Sequence, residues 1–423
     1  MRSESRSRRR ARCHARNLAG LGAACKARAA GREGSGMSRP RIAAVRTFFV
    51  HGYYRNFVFV KIETDEGIAG WGECSLEGKE GAVMGAVDDY ARELTGRDAC
   101  AIEAHIRTMT RDSFWMNGPV LRSAMGGLET AMWDVLGKWL GVPVHTLLGG
   151  RLRDEIEAYS NAWYFGARTA EDFAAAAELP LSSGYRALKF DPFGYASATQ
   201  STHELREAVE KVAAVRSAVG PDVRIGLDAH GRFGLMSALR LLRELDRYDL
   251  YFVEEPLHPG DASGLEQVVR QSRIPIVLGE RLYSRWEYRD LLERSLVPMI
   301  QPDVIHVGGI LELRKIAAMA EVYGVAIAPH NAAGPISTAA TLQVAACTPN
   351  AEIQEMFAPQ DAPWRDDLAR PPIAVVDGKV QIPHGPGLGI ELDEEVALAH
   401  PGKPRSLDFY SAGSILEIEY RPR

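Results

Sequence analysis

Three acidic residues in the second half of the chain recur at a fixed interval: Asp228, Glu254 and Glu280 stand 26 residues apart. Each closes a short apolar run: Ile225-Gly226-Leu227-Asp228, Phe252-Val253-Glu254 and Ile276-Val277-Leu278-Gly279-Glu280. Carboxylates gathered in one place repel one another, and burying three of them requires a cation. An all-oxygen set selects a hard ion, and Mg2+ leaves positions open for a substrate carboxylate. One such residue alone would more often cap a helix or pair with a base; three at equal spacing, presented at one height, favour a metal site. Other polar residues also end apolar runs, in Asp228-Ala229-His230, Gln301-Pro302-Asp303, Pro329-His330-Asn331 and Gln354-Glu355. Asp303 on a neighbouring strand would orient His330 and raise its basicity, as a general base requires. Asp228 and His230, two apart, would share one strand face, and so would Lys189 and Asp191. For Asp191 two roles stay open, a hydrogen bond to a hydroxyl or a pairing with Lys189.

Such a set needs a scaffold that brings many strand ends together. After Gly149-Gly150, apolar strands alternate with amphipathic helices at intervals of about 25 residues. Strand ends are expected near 158–162, 187–191, 225–230, 252–255, 276–280, 300–303, 326–330 and 353–355, with helices over 203–219, 233–245, 288–296, 311–323 and 336–347. Eight strands predict a (β/α)8-type barrel, in a modified (β/α)7β form, over residues 151–356, with its chemistry at the C-terminal strand ends. No GxGxxG follows the first strand, so no nucleotide cofactor is expected. Residues 37–150 read as an α+β capping domain: a hairpin with its turn at Asp65-Glu66-Gly67, then helical periodicity over 80–94 and 121–140. The second helix sets Ala124, Leu128, Ala131, Trp133, Val135 and Trp139 on apolar rows and should be buried. Residues 357–423 are expected to return to this domain. Substrate specificity should come from loops over the barrel mouth, with Arg55, Trp115 and Tyr164 as candidate contacts besides Asp191.

Composition restricts the function classes. The 423 residues are 46% apolar and 25% charged, with no run long enough for a membrane helix, so a soluble protein without membrane attachment is expected. Residues 1–36 hold ten Lys/Arg against two Glu, a net +8, so that against a total of −5 the remainder carries −13. An acidic body argues against nucleic acid as a partner. The basic arm reads as an over-long translation start or a disordered extension, since Met37 directly precedes the first regular pattern. Arg8-Arg9-Arg10 is similar to a twin-arginine signal, but residues 17–25 are too short and Gly-rich for its apolar segment. Five scattered Cys with no CxxC fit a reducing, cytoplasmic setting.

The chain resembles the enolase superfamily, in its mandelate-racemase-like branch. The resemblance covers roughly residues 41–391 and rests on Trp133-Asp134, Lys138, Gly141, Pro143, Leu147-Leu148-Gly149-Gly150, the three carboxylates, Gln301-Pro302-Asp303, Gly308-Gly309 and Pro329-His330-Asn331. It implies one Mg2+ at Asp228, Glu254 and Glu280, and α-proton abstraction beside a carboxylate. Within the branch, Asp228-Ala229-His230-Gly231-Arg232 is most similar to sugar-acid dehydratases of the D-galactonate type. That likeness implies His330 with Asp303 as base, His230 as acid to the departing β-hydroxyl, and Glu355 hydrogen-bonded to a substrate carboxylate oxygen. Lys189-Phe190-Asp191 departs from the Lys-x-Lys of racemases, which weakens a second base and leaves Lys189 to stabilise substrate charge. The expected partner is therefore a small sugar acid, an aldonate or aldarate, and the family implies an even-numbered homo-oligomer. The alternative is a racemase, epimerase or cycloisomerase acting through the same enediolate.

Overall fold

A computed structural model describes residues 38–52, 55–357 and 364–403. The basic arm at 1–36 lies outside the described residues, as do Tyr53 and Tyr54. The capping domain begins with three antiparallel strands, β1 (Ile42–Gly52), β2 (Arg55–Thr64) and β3 (Ala69–Glu73). Strand β2 is buried along almost its whole length, because both of its edges are paired and helices cover one face. Those helices are α1 (Glu80–Leu94), α2 (Ile102–Met109) and α3 (Pro119–Leu140). Pro119 opens α3 where no amide partner is needed, and Gly141 closes it in the left-handed conformation. Ala124, Leu128, Ala131 and Val135 are buried as their spacing predicts. Trp133 and Trp139 remain partly exposed, because a 22-residue helix wedged between two domains still shows one edge to solvent.

Eight parallel strands then build the barrel: β4 (Glu155–Asn161), β5 (Ala187–Phe190), β6 (Arg224–Asp228), β7 (Phe252–Glu254), β8 (Ile276–Val277), β9 (Met299–Ile300), β10 (Ala326–Ile327) and β11 (Gln354–Phe357). Ladders join β4 through β8, β9 to β10, and β11 back to β4. Two isolated bridges, Leu278 to Ile300 and Ile327 to Ala351, close the ring. The helices between them include α4 (Ala170–Ala176), α5 (Thr202–Val219), α6 (Leu235–Leu245), α7 (Ala262–Gln271), α8 (Arg285–Glu293), α9 (Ile310–Val322) and α10 (Pro335–Ala346).

The pleat sorts side chains into two sets. Leu188, Ile225, Leu227, Val253, Ile276 and Ile300 face outward into the main apolar core under the helices. Tyr159, Ala187, Phe252, Val277, Met299 and Ile353 fill the barrel interior. Two residues past Ala187, Phe252, Met299 and Ile353 come Lys189, Glu254, Gln301 and Glu355, so the inward positions change from apolar to polar towards the strand ends. The C-terminal segment pairs β12 (Lys379–Gln381) with the start of β4; Leu388 then donates its amide to Asp134, and Glu391 meets Lys138 and Trp71. No helix among the described residues is long and apolar enough to cross a membrane.

Candidate active site

Asp228 and Glu254 are register partners on β6 and β7, and so reach the mouth side by side. Glu280 arrives differently. The register partner of Glu254 is Val277, three residues before Glu280, so the equal sequence spacing does not place the third carboxylate at strand height. The chain leaves β8 and turns at Gly279, where a Cβ would lie 2.7 Å from the backbone of Gln301. That close approach, open only to glycine, lets the turn swing Glu280 back. One oxygen from each of the three carboxylates then lies within 4.8 Å of the others.

Lys189 sits beneath them, its ammonium 2.7 Å from Glu254, 2.8 Å from Glu355 and 3.1 Å from Asp228. Burial opposes its charge, but Glu254 and Glu355 outweigh burial and keep it protonated. One cation does not satisfy four carboxylates. Burial and the charge of Asp228 push the Glu254 carboxyl up to about 8 against the pull of Lys189. Its Oε2 takes Lys189 and the Gln301 amide, while the buried Oε1 has no partner. An acceptor orphaned beside two further carboxylate oxygens fits a hard divalent cation.

Two histidines flank the cluster, each held through Nδ1 by an aspartate. His330 bonds Asp303 at 2.7 Å and brings Nε2 to 3.1 Å from Glu280. Burial alone would lower its pKa; Glu280 and Asp303 overcome this and hold it well above the ordinary value. His230 bonds Asp191 at 3.0 Å and brings Nε2 to 3.5 Å from Asp228. Burial again opposes the charge, and Asp228 with Asp191 raises the pKa. His230 has φ +49°, as β6 has already ended at Asp228. A left-handed turn rather than a shared pleat therefore brings His230 back beside Asp228, which corrects the expectation from alternation. The following amide, of Gly231, is fixed by a 2.6 Å bond to the Glu255 carbonyl.

Two family descriptions match the chain. "Mandelate racemase / muconate lactonizing enzyme, N-terminal domain" fits residues 37–149, and "Enolase C-terminal domain-like" fits residues 172–396. The chain belongs to the mandelate racemase/muconate lactonizing enzyme family of the enolase superfamily. It is 41% identical over 344 residues to the D-galactonate dehydratase of Variovorax paradoxus, covering 80% of this chain and 89% of the relative. It is 36% identical over 351 residues to the D-gluconate dehydratase of Thermoproteus tenax, covering 83% and 71%. A solved enolase-superfamily member from Salmonella Typhimurium superposes with a TM-score of 0.82 at 33% identity, covering 86% and 98%.

In this family member several expected contacts fall elsewhere. Asp191 does not pair with Lys189: its Oδ2 takes Arg232 and His230, and its Oδ1 accepts the Phe193 amide. Glu355 already accepts from Asn161 and Lys189 on one oxygen and from the Asn331 amide on the other. Burial resists its charge, yet Lys189 and His330 hold its pKa below the usual value. Both carboxylate oxygens of Glu355 thus have protein donors, and they anchor Lys189 and the strand end of Asn331. Tyr164 is buried, stacked on Phe173 and edge-on to Trp163 and Phe190, with its hydroxyl beside the Asp191 backbone. Trp115 is 74% exposed and packs edge-on against Phe114. Arg55 lies over the Phe357 ring just past Glu355 and bonds Glu77, whose charge is felt by His306 and His330.

Arg232 and His306 are the residues that the sequence reading passed over. Arg232 is buried and donates to Asp191 and to the carbonyls of Ala229 and Gly194. His306 stacks 6.4 Å from His330 and bonds Ser123 of the capping domain at 2.9 Å. The signal for Arg232 was its place four residues after Asp228 in a turn; for His306 it was its place three residues after Asp303.

Proposed function

We propose that this chain is a Mg2+-dependent hydro-lyase acting on a sugar monoacid, an aldonate such as D-galactonate or D-gluconate. Asp228, Glu254 and Glu280 would hold the ion. When bound, it supplies Lewis-acid polarisation of the substrate carboxylate, which acidifies the adjacent C–H. The supporting observation is the pair of histidines, separately held on opposite sides of one carboxylate cluster. Elimination of water needs one group to take the α-proton and another to protonate a poor leaving group. His330, fixed through Nδ1 by Asp303, presents Nε2 as the base. His230, fixed through Nδ1 by Asp191, presents Nε2 as the acid to the β-hydroxyl. The C–H and C–O bonds break, water leaves, and the enol tautomerises to a 2-keto-3-deoxy acid. Lys189 offsets the negative charge that develops between these steps.

The preference for one carboxylate in the substrate rests on charge pairing. The cations described at the mouth each already face a protein carboxylate: Lys189 three of them, Arg232 Asp191, Arg55 Glu77 and Arg281 Glu255. The names of the relatives, both aldonate dehydratases, agree with this preference. Incubation with Mg2+ and a panel of mono- and diacid sugars should give semicarbazide-reactive keto products from aldonates. A chelator should abolish them and Mg2+ restore them. Keto products from aldarates only would overturn the monoacid reading, and α-proton exchange with no keto product would favour an epimerase.

A further inference from the structure

The helices after β4 and β5 begin with their own caps, Thr169 and Ser201, each in a reciprocal capping box. Those after β9 and β10, α9 and α10, do not. Their N-cap residues are Gly309 and Gly334, and neither helix is capped by a side chain of its own. The free amides are taken by buried carboxylates of the capping domain. Glu129, within α3, accepts from the amides of Ile310 at 2.8 Å and Leu311 at 2.9 Å, and from the Trp133 indole at 2.7 Å. Glu73, at the end of β3, accepts from the amides of Gly334 at 2.7 Å and Ser337 at 2.9 Å, and from Ser75 at 2.7 Å. Both glutamates are buried. The glycines make room for them: a Cβ at Gly309 would collide with Glu129, and one at Gly334 would stand 2.9 Å from Glu73. Each helix start has given up a local cap for one that reaches it from the other domain.

The two loops fixed in this way carry the base pair. Asp303 lies seven residues before Ile310, and its Oδ1 accepts the Ile305 amide at 2.7 Å. His330 lies four residues before Gly334. The same face of α3 presses on the first loop: Ser123 bonds His306, and a Cβ at Gly126 would strike the Ile305 carbonyl. On the acid side, Arg232 donates to the carbonyls of Ala229 and Gly194 within the barrel.

We propose that Glu73 and Glu129 are positioning residues that lock the loops bearing Asp303 and His330, so that docking of the capping domain completes the base. The proposal rests on the dehydratase reading for the roles of the two histidines. A buried carboxyl that accepts two amide bonds at a helix N-terminus holds a loop firmly, and a displacement of about 1 Å at a reacting group costs about 100-fold in rate.

The test places Glu129→Ala and Glu73→Ala, with the milder Glu→Gln changes, on a His230→Asn full-length chain loaded with Mg2+. D-Galactonate or D-gluconate is the probe, and α-proton exchange in D2O is followed beside amide hydrogen exchange. The Ala variants should slow α-proton exchange by about 10- to 100-fold. Amide protection should fall over 303–312 for Glu129 and over 331–338 for Glu73, but not over 228–234. Mg2+ affinity should be kept, and the Gln variants, which hold one acceptor, should fall between. Loss of loop protection with unchanged α-proton exchange would overturn the positioning role, as would a loss of protection that includes 228–234. If the His230→Asn parent shows no exchange with either probe, the dehydratase reading fails. Amide protection then decides alone: unchanged loops overturn the clamp, and loops loosened as described support it.

Discussion

The two histidine–aspartate pairs at the barrel mouth are built alike and supported differently. Both aspartates grip Nδ1, at 2.7 Å for His330 and 3.0 Å for His230, and leave Nε2 towards the carboxylate cluster. Asp303 has no guanidinium among its described partners; it is held by the amides of Ile305 and His306. Asp191 shares one oxygen between His230 and the buried guanidinium of Arg232. A carboxylate already matched by Arg stabilises a neighbouring imidazolium less than one held by amides alone. The comparison teaches that what stands behind the aspartate can divide one motif into two, which suits the proposed roles of His330 as proton acceptor and His230 as proton donor.

The comparison breaks most severely at the histidines. His330→Asn should abolish both α-proton exchange and keto-acid formation, a loss of about 10⁴-fold or more. Persisting exchange in that variant would remove His330 from the role of base. His230→Asn should reduce keto-acid formation by about 10²- to 10⁴-fold while α-proton exchange continues, measured by mass increase of recovered substrate in D2O. Asp191→Asn and Arg232→Met test the support behind the acid. Each should slow dehydration by about 10- to 100-fold with exchange kept, and equal loss of both reactions would show a purely structural role.

The smallest effect concerns stability on the base side. Burial pushes the Glu129 carboxyl up to about 7 from an ordinary 4.5, although Leu311, Trp133 and Ile310 donate to it and Lys315 pulls it down. Folding therefore takes up a proton between those values. The contribution of this group to stability declines as pH rises from about 4.5 to about 7 and is lost above that. Denaturant midpoints across this range should fall more steeply for the native chain than for Glu129→Gln, by about 1–3 kcal/mol in total. Parallel slopes would place the carboxyl at an ordinary value.

Much of this was legible in the residues themselves. Asp228, Glu254 and His330 end strands whose apolar runs are plain, and Asp303 precedes His330 by one βα unit, so their convergence follows from the barrel. Glu280 was legible as a ligand but not in its height, because register depends on a turn that only the Gln301 backbone explains. The partner of Asp191 was hidden, since Arg232 reaches it through the left-handed turn at His230 and not along a strand. The caps on α9 and α10 were out of reach for another reason. Glu129 lies 181 residues before Ile310 and Glu73 lies 261 before Gly334, and no local pattern announces a bond made by domain docking.

The ring of strands is not equally sewn. From β5 to β7 it is joined by ladders and β4 meets β5 at the single pair Ser160–Leu188, whereas β8, β9 and β10 have two residues each, and single bridges at Leu278–Ile300 and Ile327–Ala351 carry the closure. That thin seam is the side that holds Asp303 and His330. Glu73 and Glu129 of the capping domain therefore reinforce a side of the barrel that has few ladder bonds of its own. Loss of activity on heating ahead of the loss of helical circular dichroism would show that this reinforcement gives way before the rest of the chain.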